Sequence, residues 1–187
     1  MIIYIHGFAS SGQATKAQAF RQYFKSKNQA FIAPSLPYQP DLAVQMLEEL
    51  ILSYQEDIYL IGSSLGGYYA LYLSQMPCVK NIVVINPAIT PTITLKQALG
   101  KTINYYDNSY FSWQKSHIES LKNYALNDLD MQKIMLLLQE GDEILNFQDA
   151  IKRLNGCTVF VEKNGNHSFK NIESYFEKIR LFFKILS

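Results

Sequence analysis

Six short runs of this chain are apolar almost throughout, at residues 2–5, 30–33, 58–61, 82–85, 134–138 and 158–161. This pattern limits the fold more than any other feature. A strand with one wet face alternates apolar and polar residues, whereas a strand covered on both faces reads as a continuous apolar run. Between the runs lie amphipathic stretches expected to be helical, near residues 15–25, 42–54, 65–75 and 147–154, with a last one near 172–186. Strands and helices in alternation, with both strand faces buried, predict an α/β fold. Its mostly parallel six-stranded sheet should carry helices on both faces. Pro34, Pro37 and Pro40 keep the stretch after the second run extended or turning, because proline fixes φ and lacks an N–H.

The rhythm breaks once, over about residues 87–130. Pro87 and Pro91 open this segment, and Tyr105, Tyr106, Tyr110, Phe111 and Trp113 follow. Helical periodicity is weak there, around 95–99 and 113–121. The segment is expected to be an aromatic-rich insertion after the fourth strand, a partial cap over the sheet edge within a single domain spanning 1–187. With 187 residues, 48% of them hydrophobic and 18% charged, the chain has material for one well-buried core, and its composition excludes disorder.

A net charge of +1 supplies no field for nucleic acid. The two cysteines, Cys78 and Cys157, are too few for a disulfide framework and have no metal-ligand spacing, so they read as buried, apolar-like thiols. Met1 leads straight into an apolar run without a basic region or a cleavage site, and no apolar stretch reaches the roughly 20 residues of a membrane helix. The expectation is a cytoplasmic protein with no membrane span and no nucleic-acid partner.

Directly after the third run comes Gly62-Ser63-Ser64-Leu65-Gly66-Gly67, followed by the helical Tyr68-Tyr69-Ala70-Leu71. This is G-x-S-x-G between a strand and a helix. The central serine of such an elbow sits in a strained turn, and small residues two positions to either side let strand and helix pass closely. Ser64 would stand at the helix N-terminus, where peptide dipoles favour developing negative charge. The plainer alternative is a glycine-rich turn with Ser64 as a helix cap. A Walker phosphate loop fails, since no Lys-Ser or Lys-Thr follows the glycines.

A serine nucleophile needs a base and an acid to orient it. Of His6, His117 and His167, the last fits best, because Gly165-Asn166-His167-Ser168 is a polar turn after the last strand, on the same sheet edge as Ser64. His6 reads as a brace for its own loop, and His117 as a packed or surface residue in the insertion. The acid is expected after the fifth strand of the sheet, in Glu140-Gly141-Asp142-Glu143. Asp142 follows a turn-making glycine and is the choice. Glu140 and Glu143 are rivals in the same loop, and Asp149 is weaker because it falls in a helix. Two backbone donors should complete an oxyanion hole, the N–H groups of Leu65 and of Phe8, the latter in the small-residue loop His6-Gly7-Phe8-Ala9-Ser10.

Taken together, several stretches resemble the α/β-hydrolases, and more closely the small bacterial YqiA-like esterases. They are Tyr4-Ile5-His6-Gly7-Phe8, Lys16-Ala17-Gln18, Pro34-Ser35-Leu36-Pro37, Ile61-Gly62-Ser63-Ser64-Leu65-Gly66-Gly67, Asn86-Pro87-Ala88, Gly141-Asp142-Glu143 and Gly165-Asn166-His167-Ser168-Phe169. The resemblance spans nearly the whole chain. It implies a reduced α/β-hydrolase fold and cofactor-independent cleavage of a small-molecule ester or thioester, with Ser64, Asp142 and His167 at the triad positions. An acyltransferase with the same triad and a non-catalytic hydrolase-fold binding protein are the alternatives, the latter disfavoured because no triad member is missing.

Overall fold

The computed structural model describes residues 1–185. In chain order the elements are β1 (Ile2–Ile5), α1 (Thr15–Ser26), β2 (Phe31–Ile32), α2 (Pro40–Leu52), β3 (Ile58–Ser63), α3 (Leu65–Leu73), β4 (Val79–Ile85) and α4 (Pro91–Thr94). There follow β5 (Gly100–Ile103), β6 (Tyr110–Trp113), α5 (Lys115–Ser120), β7 (Ile134–Gln139), α6 (Phe147–Arg153), β8 (Thr158–Glu162) and α7 (Phe176–Phe182). Six strands form one sheet in the order β2-β1-β3-β4-β7-β8, and every neighbouring pair is parallel.

The continuous apolar runs follow from burial on both faces. In β1, Ile3 and Ile5 belong to one core and Ile2 and Tyr4 to the other; in β7, Leu136 and Leu138 face the first core and Met135 and Leu137 the second. Helices α2, α3 and α6 cover the first face, and α1 and α7 the second. Helix α1 turns Ala17, Phe20 and Phe24 inward, the three- and four-residue spacing of a single helical stripe. Helix α2 begins at Pro40, whose missing N–H costs nothing in the first turn, and buries Ala43, Val44, Leu47 and Ile51.

Four details differ from the expectation. Strand β2 keeps only Phe31–Ile32 of the four-residue run. Strand β8 is an edge, so Val159 and Val161 are partly open to solvent although the run reads as fully buried. The last stretch opens as a 3-10 turn, Ile172–Tyr175, before α7, and its expected end at Leu186 lies outside the described residues. Cys78 and Cys157 are free and half-buried, not buried, at the margin of the first core.

The insertion is more regular than its weak periodicity implied. Strands β5 and β6 pair as an antiparallel hairpin, Gly100 opposite Trp113 and Ile103 opposite Tyr110. Trp113 is 1% exposed and donates from Nε1 to the Leu95 carbonyl at 3.1 Å. With Ile118 and Leu121 it extends the first core, fastening the insertion to the α2–α3 side of the sheet. Among the described residues no helix is long and apolar enough to cross a membrane.

Candidate active site

The β3–α3 junction is shaped by what it lacks. A Cβ on Gly62 would strike the Gly66 carbonyl, and one on Gly66 would strike the carbonyls of Ile5 and His6, so strand and helix touch backbone to backbone. Ser64, pinched between them, has φ 53° and ψ −120°, a conformation a non-glycine residue holds only under constraint. Its N–H is tied to the Ile85 carbonyl at 3.0 Å, and its own carbonyl accepts from Gly67 at 2.9 Å and Ala88 at 3.0 Å. Those bonds offset the strain and aim the hydroxyl off the sheet edge.

His167 reaches that hydroxyl. Its Nε2 lies 3.0 Å from Ser64 Oγ, and its Nδ1 lies 2.8 Å and 3.0 Å from the two oxygens of Asp142. Asp142 is nearly sealed, its side chain 2% exposed against 18% for that of His167. Burial pushes the Asp142 carboxyl up. Hydrogen bonds from His167 and from the Leu145 and Ile144 amides outweigh it and hold the group below the usual carboxylate range. An ionised carboxylate is an acceptor only, so Nδ1 carries the proton and Nε2 is left to accept from Ser64.

Of the rival acids, none shares this geometry. Glu143 accepts from the His167 backbone N–H at 2.9 Å but is exposed, Glu140 is exposed, and Asp149 lies in α6. His6 is 6% exposed and accepts the Leu36 N–H on Nε2 at 2.9 Å, so the proton on Nδ1 points to the Gly7 carbonyl at 2.8 Å. Burial holds its pKa below the ordinary histidine value. This is a neutral ring bracing the β1–α1 loop, as its sequence position implied. His117 accepts from the Gln114 N–H and packs against Trp113 and Tyr38, away from Ser64.

The N–H groups of Phe8 and Leu65 have no acceptor among the described residues; Leu65 opens α3, where no preceding turn can supply one. Both residues line a cavity of about 230 Å³. Leu36 and Tyr38 form a second wall, Tyr69 of α3 a third, and Asn104 with Phe111 of the hairpin the roof. The hairpin is latched onto the β1–α1 loop, Tyr105 N–H donating to the Ala9 carbonyl at 2.9 Å and Asn104 Nδ2 to the Ser10 carbonyl at 3.3 Å. No cluster of three His, Cys, Asp or Glu side chains that would hold a metal occurs among the described residues.

Three residues that the residue-by-residue reading left without a role support this arrangement. Asn86, at φ 40°, donates from Nδ2 to the carbonyls of Asn166 and His167 at 3.1 and 3.2 Å. Its Oδ1 accepts from Gln139 N, and Gln139 Oε1 accepts from the Asn166 and Lys170 amides, each at 3.0 Å. The histidine loop is thus held from inside the sheet. Lys16 reaches under the elbow and donates to Ser63 Oγ at 2.8 Å; burial pulls its pKa down to about 8, against the opposing pull of the Asp142 charge. Asn86 and Lys16 lie in stretches that carry the resemblance, which was the available signal; Gln139 ends an apolar strand, and a polar side chain there marks a buried hydrogen-bond hub.

Known proteins share this frame. The Escherichia coli O9:H4 (strain HS) UPF0227 protein YcfP is 25% identical over 187 residues, covering 97% of this chain and 98% of its own. Mouse alpha/beta hydrolase domain-containing protein 10 superposes with a TM-score of 0.79 at 22% identity, over 100% of this chain and 90% of its own. Est1E from Butyrivibrio proteoclasticus, in a structure with ferulic acid bound, gives a TM-score of 0.76 at 14% identity, over 98% and 87%. The fold is that of the α/β-hydrolases. The model of the Uncharacterised protein family (UPF0227) matches residues 1–184, and the chain belongs to that family.

Proposed function

We propose that this protein is a serine hydrolase that cleaves carboxylic esters or thioesters through an acyl-enzyme on Ser64. The observation that carries this reading is the unbroken chain from Ser64 Oγ through His167 to a buried, ionised Asp142, on a strained elbow beside two unpaired amides.

In the proposed cycle His167 Nε2 takes the Ser64 proton as Oγ attacks the substrate carbonyl. The N–H groups of Phe8 and Leu65 receive the oxygen as it becomes negative. The imidazolium then protonates the departing alcohol or thiol. A water, deprotonated by the same nitrogen, attacks the acyl carbon, and collapse of the second tetrahedral intermediate returns the proton to Ser64. Asp142 holds the tautomer and offsets the charge on the ring. No step calls for a metal or an organic cofactor. The insertion over about 87–130 serves as a partial cap on a single domain, and two unpaired cysteines fit the reducing cytoplasm.

The ferulic acid held by the Butyrivibrio neighbour is in keeping with an acyl site in this fold. A fluorophosphonate probe followed by peptide mass mapping tests the reading. One adduct on Ser64, absent from Ser64→Ala, is the expected result; a folded protein that takes no adduct would overturn it.

A further inference from the structure

Three tyrosines of α3 point their hydroxyls at different fates. Tyr68 donates to the Leu121 carbonyl at 3.0 Å, and Tyr72 to a Glu48 oxygen at 3.4 Å. Tyr69 is 3% exposed, and no hydrogen bond to its hydroxyl is found among the described residues. Burial pushes its pKa far up, so the proton stays on. A buried tyrosine hydroxyl normally has a partner, because leaving it bare forfeits its solvation.

This hydroxyl is not sealed in protein. Among the described residues Arg21 Nη1, Tyr23 Oη and Asn166 Oδ1 are closed off without a partner; Tyr69 Oη is not so enclosed. It therefore keeps open surface, and the space its side chain lines is the 230 Å³ cavity. Helical side chains lean toward the helix N-terminus, and Tyr69 stands one turn beyond Leu65, so it leans toward the elbow. Phe8, Leu36 and Phe111 give the space apolar walls; of its polar lining side chains, His6 and Asn104 are already bonded to backbone and Tyr110 is exposed. A buried hydroxyl with no protein partner fixes the position of one polar atom in whatever fills the space.

We infer that the cavity is an acyl site for a short chain bearing a hydroxyl or keto oxygen, and that Tyr69 is the specificity-determining residue that hydrogen-bonds that oxygen. The inference rests on the hydrolase reading and deepens it. Size supports shortness: a cavity of about 230 Å³ is small for a ligand site. A purely alkyl chain of the same shape leaves the Tyr69 hydroxyl unpaired after displacing any water from it, and a site built to bond an oxygen rejects such an analogue.

The test compares 4-nitrophenyl esters in matched pairs, 3-hydroxybutyryl against 3-methylbutyryl and 4-oxopentanoyl against 4-methylpentanoyl. In the wild-type protein the oxygenated member of at least one pair should have a kcat/KM about tenfold higher or more, and Tyr69→Phe should collapse that ratio toward one. Binding of the same esters to Ser64→Ala, read by saturation-transfer NMR, does not depend on turnover. The preference in binding without wild-type hydrolysis would overturn the hydrolase reading and keep the Tyr69 site. Hydrolysis with no preference within either pair, in the wild type itself, would overturn the Tyr69 site and leave the hydrolase reading intact. A ratio that survives Tyr69→Phe in a folded variant would place the recognition elsewhere and overturn it equally.

Discussion

The elbow around Ser64 and the β5–β6 hairpin wall the same cavity, yet they are built on opposite principles. At the elbow, position is imposed by backbone: missing Cβ atoms, a positive φ and bonds to Ile85, Ala88 and Gly67 leave Ser64 one place to be. In the hairpin, position is borrowed from a few aromatic side chains. Trp113 is buried, Phe111 packs between Phe8 and Tyr38, and Tyr105, Tyr106 and Tyr110 stand in solvent. Reaction chemistry tolerates little displacement, whereas a pocket roof has only to exclude and to fit. The contrast predicts where substitutions act on rate, where on stability, and where on neither.

The largest effect belongs to the elbow. Ser64→Ala should lower kcat/KM on activated short-chain esters by about 10⁴-fold or more with an unchanged melting temperature. Ser63→Ala, one residue away, should keep most of the activity and lose stability, because the buried Lys16 ammonium loses its acceptor. A dead Ser63 variant beside an active Ser64 variant would misplace the elbow by one residue.

Next comes the acid. Asp142→Asn should cost roughly 10³- to 10⁴-fold in kcat by leaving His167 in the wrong tautomer. Glu143→Gln should cost less than about tenfold, since its amide oxygen still accepts the His167 N–H. Equal damage from both in a kcat measurement would show that loop position, not ionisation, is what the acid supplies.

How far each region could be read from sequence follows the same divide. G-x-S-x-G, the glycine before Asp142 and the turn holding His167 were legible because close backbone approach excludes most residue types, and exclusion leaves a pattern. The two-faced sheet was legible because burial on both sides removes polar residues from whole runs. The hairpin left little pattern: Thr102, Ile103, Tyr110, Phe111 and Trp113 are strand formers, but half of each strand is exposed, and the stretch joining them carries no short turn signal. The roles of Asn86 and Gln139 were hidden for another reason. Their work is done with partners 80 and 27 residues away, and only the assembled sheet brings those together.

Within the hairpin the two buried aromatics should separate. Trp113→Ala should cost about 3 to 5 kcal/mol of stability and lower activity on all esters together. Phe111→Ala, partly buried in the cavity roof, should shift preference among acetyl, butyryl and octanoyl esters, by about 1 to 3 kcal/mol in relative kcat/KM, at a smaller cost in stability. Urea midpoints beside specificity constants decide it; the same signature from both would erase the distinction between roof and fastening.

The smallest effect is one of pH. His6 is neutral in the fold and its pKa lies below 6.5, so the unfolded chain binds the proton more readily. Stability from this site is therefore complete above the ordinary histidine range and declines as pH falls through it, when protonated Nε2 can no longer accept from Leu36. The urea midpoint should drop between pH 7.5 and pH 5.5, and less so in His6→Gln. An identical drop in the variant would assign the slope to other groups.

The latch between Asn104, Tyr105 and the carbonyls of Ser10 and Ala9 bears on how such a protein can be redesigned. The carbonyl of Ala9 belongs to the residue that follows Phe8, so the roof and the Phe8 amide hang from one short stretch of chain. Lengthening or grafting the hairpin to admit bulkier substrates pulls on that stretch and shifts the donor with it. On the proposed function, selectivity and speed are mechanically geared through this latch. A library that randomises residues 104–111 should therefore co-randomise 8–10, and variants recovered with enlarged pockets should carry compensating changes at both ends of the latch.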